Sequence, residues 1–164
     1  MASGVTDKGK AWILETTFRK QMNGTTISDR MYVALIKATT TPTADLEEWG
    51  DLSGAEIADG NGYSQTNKKP IDRGTTDFNV ISSDADAETN NYGHVQLENV
   101  EWTAVTGALP SSGDGARYAI LMDNKGGSAN DATNQVLAWW DLGSDRSVAV
   151  GQTLSLQDME IRLS

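Results

Sequence analysis

One histidine and no cysteine set the limits on chemistry in this chain. A Ser-His-Asp triad would have to use His94 as its base. His94 opens the segment His94-Val-Gln-Leu-Glu-Asn-Val-Glu-Trp102, and no nucleophile-elbow sequence occurs anywhere in the chain. The expectation is a satisfied or solvent-facing imidazole. Without cysteine, disulfides and Cys-based zinc sites are excluded. Asp59-Gly-Asn-Gly62 has glycines but lacks the strand, loop and helix context of a phosphate site, so it reads as a turn.

The acidic residues offer two further possibilities. Ser83-Asp84-Ala-Asp86-Ala-Glu88-Thr-Asn90 places oxygen donors at alternate positions, as a calcium loop does. Thr89 stands where that loop needs Gly, and Val95 stands where it needs a bidentate Glu. The segment therefore reads as a solvated acidic loop. Glu47, Glu48 and Asp51 could act as paired carboxylates only if a cleft held them apart at the right distance. The expectation is no catalytic residue, no cofactor and no metal.

The elements that would position any site are mostly strands. Arg117-Tyr-Ala-Ile-Leu-Met122, Gln135-Val-Leu-Ala-Trp-Trp-Asp-Leu142, Leu154-Ser-Leu156 and Met159-Glu-Ile-Arg-Leu163 alternate, which marks strands with one buried face. Trp139 and Trp140 must then face opposite ways, one toward the core and one outward or toward an interface. Arg30-Met-Tyr-Val-Ala-Leu-Ile36 is apolar almost throughout and predicts a central strand covered on both faces. Val95 and Leu97 share one phase, whereas Val100 and Trp102 share the other. A phase change there means a bulge around Glu98-Asn99 or a switch of faces. The polar stretch from Lys37 to Gly62 reads as a long surface loop that contacts a neighbour.

One helix is predicted over 7–23. Thr6 or Asp7 can cap it, Ala11, Leu14, Phe18 and Met22 form its apolar stripe, and Asn23-Gly24 stops it. Trp12 lies off the stripe. It either packs at the helix edge or projects as an anchor in a protein contact.

The chain has 164 residues, a length suited to one domain, with 16 Gly and 3 Pro. The fold class predicted is all-β: a two-sheet sandwich of jelly-roll type with a short N-terminal α-helix. Its parts are an arm over 1–6, the helix over 7–23 and a β body over 30–164. Net charge is −10, and Lys68-Lys69 with Arg73 is the largest basic group. Direct nucleic-acid contact is disfavoured without a basic patch, and so is binding to an anionic membrane. The start of the chain lacks the pattern of a targeting segment, so the expectation is a soluble protein made in a cytoplasm.

The order of these segments resembles a group of small virion proteins of tailed bacteriophages. The likeness rests on the early helix followed by Met31-Tyr-Val-Ala-Leu35, then Gly60-Asn-Gly-Tyr63 after an acidic loop. It continues through Val100-Glu-Trp102, Ala116-Arg-Tyr-Ala-Ile-Leu-Met-Asp123, Leu137-Ala-Trp-Trp-Asp-Leu-Gly143 and Gly151-Gln-Thr-Leu-Ser-Leu156. The resemblance implies a capsid decoration (cement) protein on the virion surface, or else a tail or tail-fibre component that binds a receptor. It implies the major capsid protein as partner, and further copies of the chain itself as a dimer or trimer. The Thr-rich loop from Thr39 to Ala58 is longer than the resemblance calls for. Polarity beside isolated apolar residues makes Ala2, Val5, Trp12 and Trp49 the candidate inter-subunit contacts.

Overall fold

The computed structural model describes residues 6, 13–14, 17–18, 30–81 and 93–163. Most of the arm expected at 1–6, most of the helix expected at 7–23 and the acidic loop at 83–90 lie outside the described residues. The fold is all-β with antiparallel pairing, as the alternation predicts. The strands are β1 (Arg30–Ile36), β2 (Lys69–Asp72), β3 (Phe78–Ile81), β4 (Gly93–Leu97), β5 (Val100–Thr103), β6 (Ala116–Met122), β7 (Val136–Arg146), β8 (Thr153–Leu156) and β9 (Met159–Leu163). A single turn of helix, α1 (Trp49–Leu52), runs on into a 3-10 turn at Ser53–Ala55.

These elements fall into two compact units. The smaller holds the sheet β3-β4-β9 and the described residues before Asn23. Its register is the one the alternation calls for. Val95 faces Ile161 and Leu97 faces Met159, whereas His94 faces Arg162 and Gln96 faces Glu160. Paired residues share a face, so the apolar set lies on one side and the polar set on the other. Leu14 and Phe18, two members of the predicted helical stripe, are helical and buried. The Phe18 ring meets that of Phe78 at 5.1 Å, an aromatic pair that closes this small core.

The larger unit holds the four-stranded sheet β2-β1-β6-β7 and the ribbon β5-β8. β1 is central and sealed, with Met31, Val33, Ala34, Leu35 and Ile36 all at 0 % exposure. On one face, Ala34, Ile36, Tyr118, Ile120 and Met122 pack under Trp49, Leu52 and Ala55. β6 departs from the one-faced strand the sequence predicts. It lies between β1 and β7, and Ala119 and Leu121 on its second face are as buried as Ile120 on its first.

The phase change at Glu98-Asn99 is a change of sheet. β4 pairs within the smaller unit and β5 pairs with β8 in the larger. The chain returns at Gln157-Asp158, where Asp158 takes a φ of 55° to make the turn.

The stretch from Lys37 to Gly62 corrects the reading of a surface loop. Pro42, Trp49, Leu52, Ala55, Glu56 and Ile57 are buried, and Ile57 N–H bonds the carbonyl of Leu35 at 3.0 Å. The segment's few large apolar residues are too widely spaced to show a period, yet together they cover a whole face of the sheet. The turn Asp59-Gly-Asn-Gly62 forms as expected. Gly62 sits at φ +110°, and a Cβ there would lie 2.0 Å from the carbonyl oxygen of Thr103, so only glycine fits.

Candidate functional site

The turn at Gly60–Gly62 delivers Tyr63 to the richest polar cluster among the described residues. Its hydroxyl accepts a hydrogen bond from the Leu35 backbone N–H at 3.1 Å and donates one to Glu56 Oε1 at 2.6 Å. The hydroxyl thus satisfies a sheet amide, as a paired strand would. Glu56 Oε1 also lies 3.1 Å from Lys68 Nζ, and both side chains are sealed from solvent, at 3 % and 0 % exposure.

Lys68 uses all three of its protons. Besides Glu56, the ammonium donates to the Gln65 carbonyl at 2.5 Å and to Asn130 Oδ1 at 2.9 Å. It also stands 4.7 Å from the centroid of the Trp49 ring, a cation–π contact in a desolvated place. Trp49 Nε1 donates to the same Asn130 oxygen at 3.3 Å. A cleft of about 330 Å³ opens over this group, bordered by Arg30, Tyr32, Thr66, Asn67 and Ser128. The ammonium beneath it has no proton left for a ligand.

Burial dominates the titration of the cluster. It pushes the Glu56 carboxyl up against the opposing pull of Tyr63 and Lys68. It pushes Lys68 down despite the attraction of Glu56. Tyr63 is driven well above its ordinary value by burial and then by the neighbouring carboxylate. Each group is already matched to a partner, and the cluster braces three loops together. Lys68, a member of the largest basic group in the sequence, is thus withdrawn from the surface, whereas Lys69 stays exposed.

Trp49 receives a correction too. It was expected at a contact between chains, but its exposure is 0 % and its indole caps the core of its own chain. A large apolar ring in a mostly polar segment is drawn inward, where with Leu52 and Ala55 it covers the sheet. Ala2, Val5 and Trp12 lie outside the described residues.

The surface has a different feature. The two edges of the four-stranded sheet are unlike. β2 is short and carries Lys69 and Pro70, residues that blunt an edge against further pairing. β7 spans Val136–Arg146 and buries neither face fully. Leu137 and Trp139 are 37 % and 41 % exposed, and Trp140 is half-buried. The tandem tryptophans take opposite faces, but neither is the core residue expected of one of them, because β7 lies at the edge of the sheet. Trp139 sits opposite Ile120 and so extends the core-facing side of the sheet to its rim.

The charge on β7 is muted. Arg117 clamps Asp141 through Nε–Oδ1 at 2.8 Å and Nη2–Oδ2 at 3.2 Å. This pairing, with the Gly143 N–H as a second donor, holds the Asp141 carboxyl below the usual carboxylate range. Elsewhere, Val105 and Val150 are 65 % and 58 % exposed at the end of the β5-β8 ribbon.

Among the described residues, no three histidine or acidic side chains converge as a metal site. No described helix is long and apolar enough to cross a membrane. No family model, no curated protein and no solved structure matches the chain.

Proposed function

We propose that this chain is a structural protein of a tailed-phage virion, of the head decoration type, which works by adhering to a repeated lattice. The observation that carries the reading is the exposed pair Leu137 and Trp139 on the long edge strand β7, set against the short, blunted edge β2. Large apolar side chains displayed on a long edge strand are a liability unless a partner covers them. An assembly subunit is a protein in which such a strand has a use. The resemblance of the segment order to small virion proteins is what suggests the phage context, with the major capsid protein and further copies of the chain as partners.

The remaining physics agrees. A net charge of −10 keeps free copies apart before assembly. Once on a lattice, many modest contacts add through effective concentration, so no single contact needs to be strong. The braced cluster at Lys68 stiffens the body that displays the edge.

The test is the copy number of this chain in purified particles of the phage that encodes it, measured by quantitative mass spectrometry against the major capsid protein. Hundreds of copies per particle support a decoration role. A few to a few dozen copies move the chain to the tail or its fibres, and absence from the particle overturns the reading.

A further inference from the structure

We infer that Lys68 and Asn130 are the two ends of an intramolecular isopeptide bond that this chain forms on itself, with Glu56 carrying the protons. The braced cluster holds these groups assembled before the bond.

The geometry brings an amine, an amide and a carboxyl together. Lys68 Nζ stands 2.9 Å from Asn130 Oδ1 and 3.1 Å from Glu56 Oε1, and the Lys68 and Glu56 side chains are 0 % and 3 % exposed. Asn130 Cγ lies one carbonyl bond, about 1.23 Å, beyond that oxygen. A rotation of the amide carries Cγ to the ~3–3.5 Å of a near-attack arrangement. Trp49 Nε1 donates to the same Oδ1 at 3.3 Å. That N–H polarises the carbonyl and is placed to hold the oxyanion once Cγ becomes tetrahedral.

An ammonium has no lone pair, so Lys68 must shed a proton before it attacks. Burial pushes the Lys68 ammonium down against the pull of Glu56. Burial pushes the Glu56 carboxyl up against the pulls of Tyr63 and Lys68. Both shifts narrow the gap between amine and carboxyl, so a proton can pass from one to the other.

The step balances within the cluster. Glu56 takes one proton from Lys68, and neutral Nζ forms a bond to Asn130 Cγ while the carbonyl electron pair moves to Oδ1. The departing nitrogen is then only two bonds from Nζ, within reach of the same carboxyl. Glu56 gives its proton to Nδ2 and takes a second from Nζ. The Cγ–Nδ2 bond breaks, its electron pair leaves with the nitrogen, and ammonia departs. An ammonium, an amide and a carboxylate have become a secondary amide, ammonia and a carboxylic acid.

The surroundings favour Asn130 as the target. Asn130 is exposed, and the cleft over Lys68 bordered by Thr66, Asn67 and Ser128 opens to solvent, so ammonia is lost to water and the step does not run back. The Gln65 carbonyl also accepts from Nζ, at 2.5 Å. Attack there would expel a backbone amine that stays tethered beside its carbonyl, and the original bond would re-form.

The bond would tie residues 62 apart in the chain. The chain leaves the larger unit after Ile71 and returns at Val100, so Lys68 stands before the departure and Asn130 after the return. Opening of the smaller unit could then not draw these two turns apart. Folding assembles the noncovalent cluster first, and aminolysis of the amide follows slowly. Freshly prepared chain therefore reports the cluster, and aged chain reports the bond.

The experiment ages purified chain in neutral buffer and follows it by intact mass and tryptic mapping. The wild type is expected to lose about 17 Da, the mass of ammonia, over days. A modified Lys68 resists trypsin, so the bond is seen as a branched peptide joining 38–73 to 126–146. A succinimide at Asn61-Gly62 or Asn130-Asp131 also loses ammonia but leaves those peptides apart. Asn130→Ala is expected to give no branched peptide, and Glu56→Gln to form it at least about a hundredfold more slowly. Circular dichroism checks that both variants fold, and the wild-type map decides the bond by itself if one does not. Aged wild type without the branched peptide, the same peptide in Asn130→Ala, or folded Glu56→Gln reacting at the wild-type rate overturns the inference. The bond needs no particle, so its failure is distinct from a failure of the decoration reading, which copy number decides.

Discussion

Replacing Lys68 by Met removes the one cation that matches a carboxylate buried beneath α1. The stem keeps its volume, but Glu56 Oε1 loses its partner at 3.1 Å, and Asn130 and the Gln65 carbonyl lose donors at 2.9 and 2.5 Å. With the carboxylate side chain only 3 % exposed, water cannot replace the ammonium. Breaking a buried pair from one side costs about 3–5 kcal/mol. In urea, with a slope of about 2 kcal/mol per molar, the midpoint of Lys68→Met should fall by about 2 M. The double variant Glu56→Gln with Lys68→Met removes both charges while leaving Tyr63 an oxygen to bond, and should recover most of the loss.

The same variant has a pH signature. Burial raises the Glu56 carboxyl above its ordinary 4.5, so the folded chain holds that proton more tightly than the unfolded chain. Its contribution is complete below that ordinary value and is lost as pH climbs through the raised one. Without Lys68 the rise is larger, because the ammonium pulls the carboxyl down. The deficit of Lys68→Met should therefore shrink in acid and grow toward neutrality. A single-variant loss under about 1 kcal/mol, or one that does not change with pH, would refute a desolvated pair.

Tyr63→Phe strands the Leu35 N–H and removes a donor to Glu56, and chemical denaturation should show a loss of about 1–3 kcal/mol. Gly62→Ala drives a Cβ into the Thr103 carbonyl at a positive φ, and a thermal melt should show at least as large a loss as for Tyr63→Phe. Deleting residues 2–6 should lower occupancy on particles without shifting the melting temperature. Unchanged occupancy, read by co-sedimentation, would remove the arm from the contact surface.

Much of the fold was legible because strands announce themselves by alternation. β9 and β4 carry their apolar residues in matching phase, and the observed register places Val95 on Ile161 and Leu97 on Met159. The break at Glu98-Asn99 was visible as a phase change, although only the pairing of β5 with β8 shows that the chain changes sheet. The segment from Lys37 to Gly62 was misread because its buried groups are isolated in sequence. Trp49, Glu56, Tyr63, Lys68 and Asn130 come from separate turns and have no shared period. A buried lysine looks in sequence like any other lysine. That Trp139 and Trp140 take opposite faces could be foreseen from the pleat, but that neither joins the core follows from β7 lying at an edge, and sheet order is encoded in no local pattern.

The central claim is that the molecule acts by adhering through the β7 rim. It is tested most directly by the uptake of purified chain onto particles that lack it, wild type against Trp139→Lys, with both variants shown by circular dichroism to be folded. The account predicts saturable uptake of wild type and at least about tenfold weaker uptake of the variant, since losing a tryptophan anchor at a contact costs about 1.4 kcal/mol or more. Equal uptake of the two proteins, or no uptake of either, would contradict it.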